Sequence, residues 1–393
     1  MTETPEHRAS RTTIGGAAEE LVALSRRIHA NPELSWEEVQ ASTWCAEMLE
    51  DAGFAVERGV ADLETAFSAT VGSGPLTVAI CCEYDALPDI GHACGHNVIA
   101  AAAVGAGIGL GEVADDLGIT LKVLGTPAEE GGGGKIFMLE RGAFDGVGAS
   151  MMVHPWPSEL IQMPCLAVAH FDVTFEGKEA HASAYPELGR NAADAITVAQ
   201  VAIGLLRQHG YPGDQVHGIV THGGSAPNIV PSHTEARYYV RSRTLARLAE
   251  WEPRIRECFE AGALATGTRV SFDDRMPSYS EFEMDDELAA IYRANAESIG
   301  RTFAAPAEPV VAASTDMANV SLAIASIHPT LGLDSLPVVN HQAAFAQHCA
   351  TPIADKAAID GAIAMAWTVI DCATTETARE RFIAAAYERS PGE

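Results

Sequence analysis

A chain of 393 residues, 47% of them hydrophobic, carries enough apolar material for a full core, and its length allows two or three domains. Its 53 acidic against 25 basic residues leave a formal charge of −28, so neither a nucleic-acid nor a membrane partner is expected, since both need clustered Lys and Arg. The opening MTETPEHRASRTTIGG lacks a leader pattern, no apolar run reaches membrane-span length, and the eight cysteines are scattered; a cytoplasmic protein with a frayed N-terminus and free thiols is expected.

Residues 17–29 (AAEELVALSRRIH) have apolar positions at helical spacing. Pro32 stops this helix, and Ser35 with Glu38 three residues on predicts a capping box for a second. LTVAICCEY (76–84), ITLKVLG (119–125) and ASMMVH (149–154) are short apolar runs bounded by Gly or Pro, with helical patterns near 97–110 and 134–141 between them. This alternation predicts an α/β fold with a mixed, mostly parallel sheet and crossover helices.

From about Leu166 the texture changes. AVAHFDVTFEG alternates as a strand, 188–208 reads as a helix, VHGIVTH and TEARYYVRS as strands, LARLAEWEPRIRECFEAGALA as a helix, and TRVSFDD as a closing strand. The βαββαβ order predicts an inserted α+β domain over 166–277, which leaves the outer domain discontinuous, 1–165 and 278–393. Helical patterns return after Pro277 and end in a long stretch from about Ala354 to Tyr387.

In open parallel sheets ligands bind beyond the carboxyl ends of the strands. The first predicted strand leads into Asp85, then His92, Cys94 and His96; the second leads into Glu129 and Glu130; the third ends at His154. For any one such side chain a buried thiol or a hydrogen-bonded turn histidine is the commoner explanation, but three strands delivering donors to one sheet edge outweigh it. Soft sulfur, borderline nitrogen and added carboxylate suit a divalent ion, zinc first, with manganese, cobalt or nickel as alternatives.

The adjacent Glu129 and Glu130 repel each other unless a cation neutralises them, and a metal lets one ligate while the other accepts a proton from a water it activates. GGGGK is not a phosphate loop, because Ile136 stands where Ser or Thr is required. His181 in GKEAHAS, and Asn228 and Arg241 further on, offer substrate contacts: Arg fits a carboxylate bidentately, while Asn and His donate to an oxyanion.

Taken in order, RRIHANPELSWEE, EYDALPDIGHACGHN, GTPAEEGGGGK, MMVHP, GKEAHAS, GGSAPNIVP and NHQAAF resemble the aminoacylase and carboxypeptidase-type metallopeptidases. Within them the sequence is similar to the branch of indoleacetyl-amino-acid hydrolases, aminobenzoyl-glutamate hydrolases and related dipeptidases, over about Ala17 to about Asp371. The resemblance implies a zinc-peptidase-like catalytic domain, an inserted lid that forms a homodimer, and one or two divalent ions per protomer. It also implies hydrolysis of an amide bond in a small N-acyl amino acid, aryl amide or dipeptide-like conjugate. Carried over by position, Cys94, His96, Glu130, His154 and His341 match metal ligands, and Glu129 matches the general base. Asp85 matches the aspartate that orients a ligand, His181 a histidine that reaches the active site of the other protomer, and Asn228 and Arg241 residues that hold substrate.

Departures from that branch carry their own expectations. Asn97 replaces an aspartate and Ile99 a histidine, which puts the second metal position in question. VAASTDMANVS replaces a Gly-Ser-Glu-Asp-Phe stretch, so the loop near Thr315 and Asp316 is expected to shape a different pocket. His348 competes with His341, which the spacing to Phe345 favours. Two other readings fit the same residues: deamination of an aromatic amine, and a metal- or peptide-binding protein without turnover.

Overall fold

A computed structural model of the chain describes residues 3–304 and 313–386; Tyr387, Val311 and Ala312 lie outside the described residues. Two compact units divide the chain, Met1–Pro164 with Phe282–Glu393, and Cys165–Glu281.

The first unit is built on a six-stranded sheet. Ile119–Gly125, Leu76–Cys82, Ala149–Met151 and Ala325–Ile327 run parallel in that spatial order, and Phe67–Gly72 and Ala55–Arg58 extend one edge with antiparallel pairing. LTVAICC is apolar almost throughout because it lies inside the sheet with both faces covered. Below it runs the buried helix His96–Gly111, whose small residues let the helix Pro352–Thr374 approach closely. A Cβ added at Gly105 would stand 3.0 Å from that of Ala362. Pro352–Thr374 is long and apolar enough to cross a membrane, yet its most apolar window is 83% buried inside the protein, as in a core helix.

Two local expectations are corrected. The N-terminal segment is not frayed: Pro5–Gly16 is a helix, Thr4 Oγ1 accepts from the His7 backbone N–H at 3.2 Å, His7 Nδ1 accepts from the Thr4 N–H at 3.3 Å, and Ile14 is buried in the core. The capping box at Ser35 does not form either. The helix starts at Val39, and Glu33 instead accepts from the N–H groups of Gln40 and Ala41, both at 2.9 Å. This frees Ser35 to donate to Asp85 and turns Glu38 inward, where it accepts from the Ala128 N–H at 2.8 Å and from Thr65 Oγ1 at 3.0 Å.

The second unit is an antiparallel sheet in the order Arg269–Asp274, Ala167–Glu176, His233–Ser242, Gln215–His222. The helices Ala192–Leu206 and Leu245–Thr266 pack on each other and on this sheet, around Phe171, Phe175, Trp251 and Phe259. Connections of this kind, strand to helix to hairpin to helix to strand, give the split α+β topology.

Candidate metal centre

Four parallel strands end at the same edge of the first unit's sheet, and each delivers side chains there. Leu76–Cys82 leads into Glu83 and Asp85, Ile119–Gly125 into Glu129 and Glu130, Ala149–Met151 into His154, and Ala325–Ile327 into His328. Cys94 comes from the loop that opens the helix His96–Gly111, with Gly95 at φ +84° as its cap. His341 comes from a loop whose backbone N–H bonds the Ala93 carbonyl at 2.9 Å, which ties it to the Cys94 turn. Ala128 (φ 58°) and His341 (φ 65°) both adopt the left-handed region, costly for residues with a Cβ and concentrated at functional sites.

The donor atoms meet. Cys94 Sγ lies 3.5 Å from His154 Nε2 and 3.5 Å from His341 Nε2, and His341 Nε2 is 3.6 Å from Glu130 Oε1. His96 Nε2 is 3.8 Å from Glu130 Oε1 and 3.9 Å from Glu129 Oε2. Three groups have their donor atoms within 4.8 Å of one another: Cys94, His96 and His154; Cys94, Glu130 and His341; Glu83, His96 and Glu129. Cys94 belongs to two of them, so its sulfur stands between two places an ion could occupy. His348 joins none of these groups.

Neighbouring bonds set the tautomers. His96 Nδ1 lies 2.9 Å from Asp85 Oδ1, and His154 Nδ1 lies 2.8 Å from the Pro155 carbonyl, so each ring turns its Nε2 toward the cluster. Asp85 Oδ2 also accepts from the Glu130 N–H at 2.9 Å and from Ser35 Oγ at 3.0 Å. Burial opposes ionisation of Asp85, but the His96 ring and these bonds outweigh it and hold the carboxyl below its usual range.

Glu129, Cys94 and His154 are pushed toward their neutral forms. Burial, then Glu83 and Glu130, hold the Glu129 carboxyl well above the ordinary carboxylate range. Burial, then Glu130 and Glu129, do the same to the Cys94 thiol, and burial with His328 and His96 keeps the His154 ring neutral. A soft sulfur, imidazoles and clustered carboxylates form a donor set suited to a cation, and against burial the same carboxylates, Asp85 first, raise the His96 ring's pKa well above its ordinary value. His96 Nε2 and Glu130 Oε1 are buried with no hydrogen-bond partner, an expensive state that a divalent ion relieves. The residues therefore fit the metal the sequence implies.

Other predicted residues lie elsewhere. His92 is buried off the cluster, its pKa pushed down to about 3 by burial and the neighbouring His96 and His29. Asn97 is structural: its amide donates to Ser25 Oγ at 2.8 Å and to the Cys349 carbonyl at 2.9 Å. Asp316, expected to shape a pocket, is buried in an ion pair with Lys135. His181, Asn228 and Arg241 belong to the second unit. There the Ala182 N–H bonds the Asn228 carbonyl at 3.0 Å, and the exposed His181 ring accepts the Ala184 N–H at 3.2 Å; Arg241 lies on the strand His233–Ser242.

Glu83, Lys135 and His328 are not foreseen from the sequence. A signal for His328 is nonetheless present: SIHP repeats the apolar-run-then-His-Pro pattern of MMVHP, and the two rings sit 5.4 Å apart. Lys135 closes GGGGK, a segment that lacks the Ser or Thr of a phosphate loop and carries no local sign of burial.

Comparison with known proteins gives a consistent set of relatives. A peptidase dimerisation domain matches residues 167–266. The chain is 38% identical over 379 residues to the Xaa-Arg dipeptidase of Mus musculus, covering 91% of this chain and 86% of that protein. It is 33% identical over 279 residues to a p-aminobenzoyl-glutamate hydrolase component of Escherichia coli (strain K12), covering 65% and 58%. Among solved structures, an aminobenzoyl-glutamate utilization protein from Klebsiella pneumoniae superposes with TM-score 0.73 at 19% identity, covering 90% of this chain and 96% of that one. A dinuclear metal-binding M20 peptidase from Bacillus subtilis gives TM-score 0.66 at 20% identity, covering 91% and 99%. These two likenesses establish the fold.

Proposed function

The chain belongs to the M20 family of metallopeptidases and amidohydrolases, metal-dependent enzymes that cleave amide bonds, and from that premise we propose that Cys94, His96, Glu130, His154 and His341 hold a pair of divalent ions with Glu129 as the base. One observation carries the assignment: Cys94 Sγ lies 3.5 Å from the Nε2 atoms of two histidines that come from separate parts of the chain. The metal, when bound, supplies a Lewis acid that acidifies a water and polarises a carbonyl. Glu129 takes the proton of the attacking water and returns it to the leaving amine. Asp85 keeps His96 in the tautomer that faces the centre. His181 steadies the oxyanion, while Asn228 and Arg241 hold the substrate, Arg241 by its carboxylate. Zinc is the first choice of metal for this mixed sulfur, nitrogen and oxygen set, ahead of manganese, cobalt and nickel.

The substrate we propose is a small N-acyl amino acid or dipeptide. A dipeptide with a basic C-terminal residue heads the panel, because the mouse relative is an Xaa-Arg dipeptidase and a net charge of −28 steers cations inward. The dimerisation-domain match supports a homodimer through the second unit, and eight free cysteines support the reducing cytoplasm.

The test is Glu129→Gln. It should retain the metal content of the parent while kcat on a good substrate falls by about a thousandfold. Parental turnover in the fully loaded variant would remove Glu129 from its role. Release of an amino acid, rather than ammonia, from the panel distinguishes amide cleavage from deamination.

A further inference from the structure

A buried charge cluster lies behind the proposed ligands, and the hydrolysis as described makes no use of it. Lys135 and Glu83 are fully buried. Lys135 Nζ is 2.7 Å from Asp316 Oδ1 and 2.5 Å from Glu83 Oε1, while its own backbone N–H donates to Asp316 Oδ2 at 2.9 Å. Asp316 alone therefore grips both ends of Lys135 and anchors the helix start that follows the Gly-rich turn. Its Oδ1 satisfies one of the three ammonium donors.

Glu83 takes a second of those donors, and its geometry is divided. Oε1 faces Lys135; Oε2 lies 3.5 Å from His96 Nε2, the nitrogen left for an ion because Nδ1 is committed to Asp85. Glu83 also forms a donor group with His96 and Glu129. One of its oxygens is thus aimed at the ion's place and the other is tied to an ammonium. Around the cluster stand Glu83, Asp85, Glu129, Glu130 and Asp316, and Lys135 is the fixed cation set among them. Buried ammonium groups persist only where such partners hold them.

We propose that Lys135 is a positioning residue that restrains Glu83 from becoming an additional metal ligand, keeping a coordination place open on the His96 side and lowering the centre's affinity for that ion. A hydrolytic metal site needs such an open place, whereas a closed shell of protein ligands is structural. The inference rests on the metal assignment above and goes beyond it, since no ligand or base is reassigned.

The experiment is a competitive zinc titration of the metal-free full-length protein, with circular dichroism to confirm folding and kcat and KM measured after loading. Lys135→Met should bind one of its ions about tenfold more tightly, and kcat should fall about a hundredfold at unchanged KM. Glu83→Gln, which leaves the Lys135 and Asp316 pair intact, should weaken that ion by about threefold or more. The double variant should return to within about threefold of the parent. Opposite shifts are the signature, because loss of a merely structural pair would loosen the site in every variant. Shifts of the same sign, or unaltered affinities with only a lower Tm, overturn the proposal. Should Lys135→Met fail to fold, an unaltered zinc affinity in Glu83→Gln overturns it equally. A parent protein that takes up no zinc sinks the metal-centre reading itself, and this inference with it.

Discussion

Asp85 links three parts of the site: it holds the His96 ring, caps the Glu130 N–H and receives Ser35. Glu38 does related work nearby, through the Ala128 N–H that precedes Glu129. Burial, and then the Asp85 charge, push the Glu38 carboxyl up from 4.5 to about 7. The sign follows from linkage. Between pH 4.5 and 7 the unfolded chain has released this proton while the folded one retains it, so stability falls as pH rises through that window. Glu38→Gln should remove the fall, worth up to about 3 kcal/mol. Urea unfolding of the metal-free protein at pH 5 and pH 8 checks it: the variant gains on the parent only at the higher pH, and an equal slope in both proteins would contradict the cause. At this scale the sequence is most readable where the candidate donors sit in short, Gly-rich turns, as Cys94, His96, Glu129 and Glu130 do. Lys135 and Asp316 are unreadable, because they are 181 residues apart and no local pattern records that an ammonium will be buried.

Among elements, the turn that presents Cys94 and His96 depends on Gly95. Its φ of +84° disfavours any Cβ, and one built there would lie 2.8 Å from Pro155 Cβ and 3.1 Å from Cys349 Sγ. Gly95→Ala should cost about 1–3 kcal/mol and move both donors, lowering Tm by several degrees and weakening zinc uptake more than tenfold. Calorimetry and metal analysis report the two effects, and a variant with parental Tm and metal content would show the turn is not required. The parallel core is legible because LTVAICC and ITLKVLG are apolar enough to mark strands buried inside a sheet. Ala325–Ile327 is not, since three residues carry no period, and with it goes His328. The N-terminal helix is hidden for another reason: its cap uses Thr4 with a histidine where glutamate is the usual partner, so the signal has an unfamiliar form.

At the scale of the whole molecule, the second unit exposes apolar residues on an edge strand and on a helix face. Gln215–His222 is an edge strand with Ile219 and Val220 exposed, and Val198, Val201 and Leu205 share an exposed stripe of the helix Ala192–Leu206. A two-fold partner would cover both. Leu205→Glu with Ile219→Lys should sediment as a monomer, keep the parental metal content and lose at least about tenfold in kcat if His181 serves the partner's site. A dimer of parental stability would place the interface elsewhere. The alternation of strand and helix after Leu166 is visible in the sequence, but which strands become edges is decided by spatial strand order, which no single segment encodes. The interruption of the first unit by the second has a consequence for biosynthesis. Translation delivers Cys94, His96, Glu130 and His154 first, then the whole intervening unit, and only afterwards His341. The last of the proposed donors is therefore missing through most of synthesis, and the proposed cage can close only once the segment after the intervening unit has been made.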